Sequence, residues 1–227
     1  MTSSLVGSEM CIRDSGNGVR IFGKYLKDAG YVQKNHFSVN TLSGEQQIHY
    51  LNEEGTRIKV SMGHLSFWSD EIPMTGPRRE VLNETMMFGS IPYRVTCVSI
   101  GNPHCVIWLS DISKELACRI GRHSEAAECF PEKVNTELLR VMDRTNIEIE
   151  IYERGAGYTL ASGTSGCAAA GAAYKMGLTD PKMYVHMPGG VLEVEIEEDG
   201  SVLMTGDVGY VGKFTLSHEM VEQLRSL

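Results

Sequence analysis

The stretches SGNGVRIFGKYLKDAG (15–30) and SGTSGCAAAGAAYKMG (162–177) have equal length and the same order of parts: a Ser-Gly turn, a helix, and a Gly at the helix C′ position. In the first, Val19, Ile21, Phe22, Tyr25 and Leu26 recur at helical spacing, which predicts one buried face. The segments downstream of the two helices match as well. FSVNTLSGEQQIHYLNEEGTRIKVSMG (37–63) and MYVHMPGGVLEVEIEEDGSVLMTG (183–206) both read as strand, Gly turn, strand, acidic-Gly turn, strand. Gly44 pairs with Gly190, Gly55 with Gly200 and Gly63 with Gly206, at offsets of 146, 145 and 143. Turn, helix and hairpin in one order, twice over, predict a duplication. Two similar α/β halves would then enclose a cleft, with the two Ser-Gly turns facing across it.

The repeat also exposes an imbalance. Before Ser162 the second half supplies two strand regions, VTCVSIGNPHCVIWL (95–109) and TNIEIEIYERGAGYTLA (145–161), whereas only 14 residues precede Ser15. Pseudosymmetry predicts a first half short of strands, a fragment with part of its core uncovered. MCIRDS (10–15) reads as translated transposon-adapter sequence, so Ser15 is not taken as a native residue. The expected division is a first half over 1–92 together with 214–227, and a second half over 93–213.

At 227 residues the chain can bury a sizeable core, as one large or two small domains. A formal net charge of −8, with no basic stretch, argues against a nucleic-acid partner. No apolar run reaches the roughly 18–20 residues that span a bilayer, so no membrane partner is expected. The first 15 residues lack the apolar centre of a secretory signal. Six cysteines without a C-x-x-C pair read as free thiols in a reducing cytoplasm.

Helix N-termini present unpaired backbone N–H groups and a partial positive charge, which suit a carboxylate or phosphate. SGTSG and SGNG would aim two such ends at the cleft, although either alone is an ordinary cap. Neither is a Walker loop or G-x-G-x-x-G. In GNPHC (101–105) strand alternation puts Asn102 and His104 on one face and turns Cys105 away, against a metal pair; a lone His there is commonly a satisfied structural group. No metal site is expected. YERGAGYT ends a strand with Glu153 and Arg154, readable as a surface ion pair or as a carboxylate grip by Arg154. Asn135, in FPEKVN, reads as a loop or cap residue.

Taken together, SGNGVR, VSMG, IGNPHCVIW, CFPEKVN, YERGAGYTLASGTSGCAA, MPGGVLEVEI and LMTGDV, in this order, resemble the diaminopimelate epimerase family. The resemblance implies an α/β fold of two pseudosymmetric domains, each a strand layer wrapped around a central helix, with the site between them. It implies inversion of an amino-acid α-carbon without pyridoxal phosphate or other cofactor: one cysteine thiolate removes the α-proton and a second cysteine, as thiol, returns one. The partner is then a small amino-acid substrate, and a homodimer is a candidate assembly. The resemblance places the two bases at Ser15 and Ser162, and the α-carboxylate grip at Gly16, Asn17, Gly163 and Thr164. Asn102, Asn135 and Arg154 match residues that hold the distal end of the substrate. His104 and Glu153 match groups close to the catalytic pair. Tyr158 departs from the glutamate usual after Gly-Ala-Gly.

The serines change the chemistry. A free cysteine titrates near 8.5, lower at a helix N-terminus, whereas a hydroxyl lies far higher. Each unit of mismatch costs about 1.36 kcal/mol, and a helix dipole returns only about 0.3–2 kcal/mol. Serine needs an adjacent base, for which His104 or Glu153 is the candidate. Cys167, five residues into the helix, reads instead as a buried small apolar group. The residues thus support three readings: an isomerase that makes meso- from LL-diaminopimelate for lysine and cell-wall synthesis, a related racemase or proton-transfer lyase with altered chemistry, and a silent amino-acid-binding homologue.

Overall fold

The computed structural model describes residues 16–41, 44–212 and 215–225. Twelve strands form one sheet around a central helix. The elements in chain order are α1 (Gly16–Asp28), β1 (His36–Thr41), β2 (Gly44–Tyr50), β3 (Arg57–His64), β4 (Glu84–Phe88), β5 (Ile91–Ser99) and β6 (Pro103–Trp108). Then come α2 (Lys114–Glu125), β7 (Asn135–Asp143), β8 (Asn146–Glu153), β9 (Gly157–Thr159), α3 (Gly163–Lys175), β10 (Lys182–Met187), β11 (Gly190–Ile196), β12 (Ser201–Asp207) and α4 (His218–Arg225).

The sheet runs β1-β2-β3-β12-β11-β10-β8-β7-β6-β5-β4, with β9 beside β8. Its first six places are a palindrome. The hairpin units β1-β2-β3 and β10-β11-β12, each following a repeat helix, meet edge to edge where β3 and β12 pair antiparallel, Val60 opposite Met204. The two helices also end alike. Gly30 and Gly177 both take left-handed backbone, at φ +74° and +73°. In each case the next residue closes the turn, Tyr31 N–H to Leu26 C=O and Leu178 N–H to Ala173 C=O. Two of the three paired glycines repeat their conformation, Gly44 with Gly190 and Gly55 with Gly200, all at positive φ. The third pair does not: Gly63 has φ +93° while Gly206 lies in ordinary strand backbone.

The buried face predicted for α1 is corrected by the structure. Ile21, Phe22 and Tyr25 are exposed, and the helix instead buries Gly16, Arg20 and Gly23. Gly23 allows close approach to β2 and β3, where an added Cβ would meet Ile48 and Ile58. The second half is enclosed on both sides. Ile147, Ile149 and Ile151 alternate along β8 into the core cluster that holds Cys167 to Ala173 of α3. The opposite face of β4–β7 packs Val95, Cys97, Cys105, Ile107 and Leu138 against Ala117 and Ile120 of α2. The division expected between residues 92 and 93 falls inside β5, and α4 buries no residue. Among the described residues no helix is long and apolar enough to cross a membrane.

Candidate active site

The two repeat helices begin against one another. Added Cβ atoms at Gly16 and at Gly163 would both strike the Met204 thioether on β12, and one at Gly163 would lie 3.9 Å from Asn17 Oδ1. Glycine at both helix starts lets them lie against this one side chain without displacing it. Beside this contact lies a cavity of about 490 Å³, walled by Asn17 and Arg20 of α1, by Ser162 and Gly163 of α3, and by Gly189–Leu192 and Asp207–Gly209. Ser162 is the extended N-cap residue of α3 at φ −146°, ψ 129°, and its side chain caps nothing. Its Oγ is therefore left at the cavity wall, beside first-turn N–H groups that lack intrahelical acceptors. Ser15 lies outside the described residues.

A second group of polar residues stands beside the start of α3. Parallel pairing of β6 with β7 sets His104 opposite Asn135, and β8 runs back to end at Glu153, with Arg154 next in the chain. His104 and Glu137 are both fully buried, with Nδ1 to Oε1 at 2.7 Å. His104 Nε2 lies 3.0 Å from Asn102 Oδ1, and Asn102 Nδ2 donates to Thr164 Oγ1 at 3.4 Å. Both ring nitrogens of His104 are thus within hydrogen-bond distance of side-chain oxygens, Glu137 on one side and Asn102 on the other. Asn135 Oδ1 accepts from Arg154 N–H at 3.0 Å, and Arg154 Nη1 donates to Glu132 C=O at 3.0 Å. Glu153 accepts from Thr159 at 3.2 Å. None of Asn102, His104, Asn135, Glu153 and Arg154 lines the cavity itself; Asn102 joins the two groups through Thr164.

Cys167 and Cys105 are not bases in waiting. Burial pushes the Cys167 thiol up to about 12, against a partial pull from Arg20. Cys105 turns to the face away from His104, where the thiol of Cys97 and burial hold it well above its usual range. The described cysteines are all free thiols. Tyr158 is committed outward, donating to Glu150 at 2.6 Å.

Sequence reasoning missed Glu137 and Arg20. Glu137 sits in NTELLRV among buried leucines, and a carboxylate inside such a run was the available signal, since buried charge persists only where paired. Arg20 hid in a helix read for its apolar spacing, although it lies one turn after Asn17.

The profile of the diaminopimelate epimerase family matches residues 96–211. A protein named diaminopimelate epimerase 2, from a Nostoc strain, is 44% identical over 206 residues, covering 91% of this chain and 72% of its own length. The chain belongs to the diaminopimelate epimerase family. A diaminopimelate epimerase of Desulfitobacterium hafniense is 38% identical over 92% of this chain and 73% of its own length. Among solved structures, a hydroxyproline epimerase from Agrobacterium vitis superposes with a TM-score of 0.64 at 13% identity, over 87% of this chain and 66% of that one, a likeness of fold. The α/β diaminopimelate epimerase-like fold expected from sequence is the fold observed, with the two repeat units meeting at β3 and β12.

Proposed function

We propose that this chain is an amino-acid epimerase working without pyridoxal phosphate, acting on the α-carbon of diaminopimelate in the cytoplasm and serving lysine biosynthesis. The observation that carries the reading is the meeting of two glycine-led helix starts over Met204 at a cavity walled by Ser162. In this reading the α-carboxylate lies against the N–H groups of both starts, at Gly16, Asn17, Gly163 and Thr164. The α-carbon lies between positions 15 and 162, and the distal end extends toward Asn102, Asn135 and Arg154. His104 and Glu153 support the site from outside the cavity. The halves are divided as 1–92 with 214–227, and 93–213. A homodimer is part of the proposal, supported by the apolar Ile21, Phe22 and Tyr25 exposed together on α1.

A hydroxyl base makes the reaction slow, because each pKa unit separating serine from a thiol costs about tenfold in rate. One observation favours a second reading, an amino-acid binder without turnover. The Ser162 side chain makes no capping hydrogen bond, and the nitrogens of His104 are taken by Glu137 and Asn102, so neither group activates the other. Incubation with LL-diaminopimelate in D2O, with α-proton loss followed by NMR, separates the two. We expect slow exchange by the natural chain and faster exchange by Ser162→Cys. Binding without exchange in either protein would establish the silent reading, and absence of binding would overturn the site itself.

A further inference from the structure

Asn135 and Arg154 are tied together by a carboxylate to which the proposed reaction gives no role. The two residues lie on separate segments. Asn135 opens β7 after the loop 126–134, and Arg154 stands where β8 enters a glycine turn. At its glycines that turn is not packed: Gly155 has φ +74°, Gly157 has φ +84°, and a Cβ at either would meet nothing within 4 Å. The loop carries strain of its own. Lys133 has left-handed backbone at φ +60°, which a residue with a side chain keeps only where its surroundings hold it.

Glu125 holds both segments. It is the last residue of α2, and its Oε1 accepts from Gly155 N–H at 2.8 Å and from Lys133 Nζ at 3.2 Å. Two further contacts seat this end of α2. A Cβ at Gly121, one turn earlier, would run into the Tyr152 ring on β8, and the buried hydroxyls of Ser124 and Thr136 lie 2.6 Å apart. Burial raises the Glu125 carboxyl, but the Gly155 N–H, the Lys133 ammonium and Tyr152 outweigh it and hold the group below its usual range. The helix gains nothing from this residue, because the C-terminal end of a helix dipole disfavours an anion. What Glu125 joins is the turn and the loop.

We infer that Glu125 is a positioning residue for substrate selection: by clamping the Gly155 turn to the Lys133 loop, it fixes Arg154 and Asn135 at the spacing that reads the distal carboxylate of the substrate. This deepens the proposed function and rests on its placement of the distal end at Asn102, Asn135 and Arg154. Glu125 touches no substrate atom. Its loss therefore lowers discrimination at the distal end and leaves the grip on the α-carboxylate as it was.

Calorimetric titration with LL-diaminopimelate and with L-lysine, the same chain with one carboxylate fewer, tests this on the natural chain, Glu125→Ala, Glu125→Asp and Glu125→Gln. The natural chain should prefer diaminopimelate. Glu125→Ala should lose ~10-fold of that preference while its affinity for lysine holds, because charge-assisted bonds to the distal carboxylate depend on placement. Glu125→Asp keeps the charge but is one methylene short, and should lose part of the preference. Glu125→Gln keeps the reach and an acceptor for Gly155 N–H, and should retain most of it. Thermal unfolding of each protein without ligand is the control, since a purely structural loss does not single out one ligand. A preference kept by folded Glu125→Ala, or an equal loss for both ligands, would make Glu125 a strut and overturn the inference while leaving the site reading intact. Should Glu125→Ala not fold, an unchanged preference in Glu125→Asp overturns it equally. If the natural chain binds diaminopimelate no more tightly than lysine, the distal placement fails and the inference falls with it.

Discussion

Helices α1 and α3 are one element used twice, in opposite surroundings. Each has 13 residues, opens on a glycine and closes on a left-handed glycine. Yet ten residues of α3 are buried against three of α1. The difference lies in what surrounds them. Helix α3 packs against β5 to β8 and β10 to β12, whereas α1 packs mainly against β2, β3 and α3 and meets β12 only at Met204 and Gly206. Small side chains let the strands close on α3; at Gly171 even a Cβ would press into Leu65. On α1, Phe22 and Tyr25 are about half exposed, at 48% and 56%. A duplicated local pattern therefore specifies the helix, its caps and its hairpin, while burial is decided by strands far away in sequence.

The strongest way to break the comparison is one charge placed at the same point of both repeats. Phe22 and Ala169 occupy matching positions seven residues after Ser15 and Ser162. Ala169→Asp puts a carboxylate at a site with 0% exposure and no partner. The expected loss exceeds ~4 kcal/mol, a large share of an ordinary domain's stability of about 5–15 kcal/mol. Urea unfolding followed by circular dichroism should show the midpoint sharply lowered or the transition lost. Phe22→Asp should cost less than ~1 kcal/mol, as an exposed substitution does, and shift sedimentation toward monomer. Equal losses at the two positions would mean that the helices are equally buried and the asymmetry is wrong.

The third glycine pair sharpens the contrast at smaller cost. Gly206→Ala collides with Arg20 and should cost ~1–3 kcal/mol by overpacking. Gly63→Ala meets nothing within 4 Å but keeps φ +93°, a strain of about 1 kcal/mol. The test is coupling. Combined with Arg20→Met, the Gly206 substitution should lose most of its cost in urea titrations, while the Gly63 substitution stays additive. Additivity at both positions would mean that Gly206 does not make room for Arg20.

These contrasts mark what the amino-acid pattern could and could not convey. Turn glycines and helix ends are local chemistry, so the two repeat units, and the approach of Gly16 to Gly163 that they imply, were legible. So was the shared face of Asn102 and His104. The seam between β3 and β12 and the parallel pairing of β6 with β7 join distant segments that no local period announces. The apolar spacing of Ile21, Phe22 and Tyr25 misled for the same reason, because a period predicts a face without supplying anything to cover it. Arg20 and Glu137 escaped notice because a charge is presumed exposed until its surroundings are known.

The smallest effect is a slope in pH, and it falls on the most intimate pair of the two repeats. Counted from Ser15 and Ser162, Arg20 and Cys167 hold the same place, and each influences the other electrostatically. The Cys167 thiol is raised from an ordinary 9.0 to about 12 by burial. Between these values the unfolded chain gives up the proton while the folded protein keeps it. The folded state binds more protons, so stability falls as pH rises above 9.0, by at most ~1.4 kcal/mol per unit. Arg20 is not a thiol and gives its half no matching thiol slope. Cys167→Ala should abolish the Cys167 contribution, read as the difference in urea midpoints between about pH 8 and about pH 10 for the two proteins, in which lysine and tyrosine titrations common to both cancel. Parallel curves would mean that Cys167 titrates as an exposed thiol, and a thiolate would then stand close to Ser162. A pH slope that vanishes with Cys167 instead leaves the α3 start with its hydroxyl, so that the two repeats differ in what they hold: a buried cation in the first, and in the second the serine we propose as the proton-transfer group.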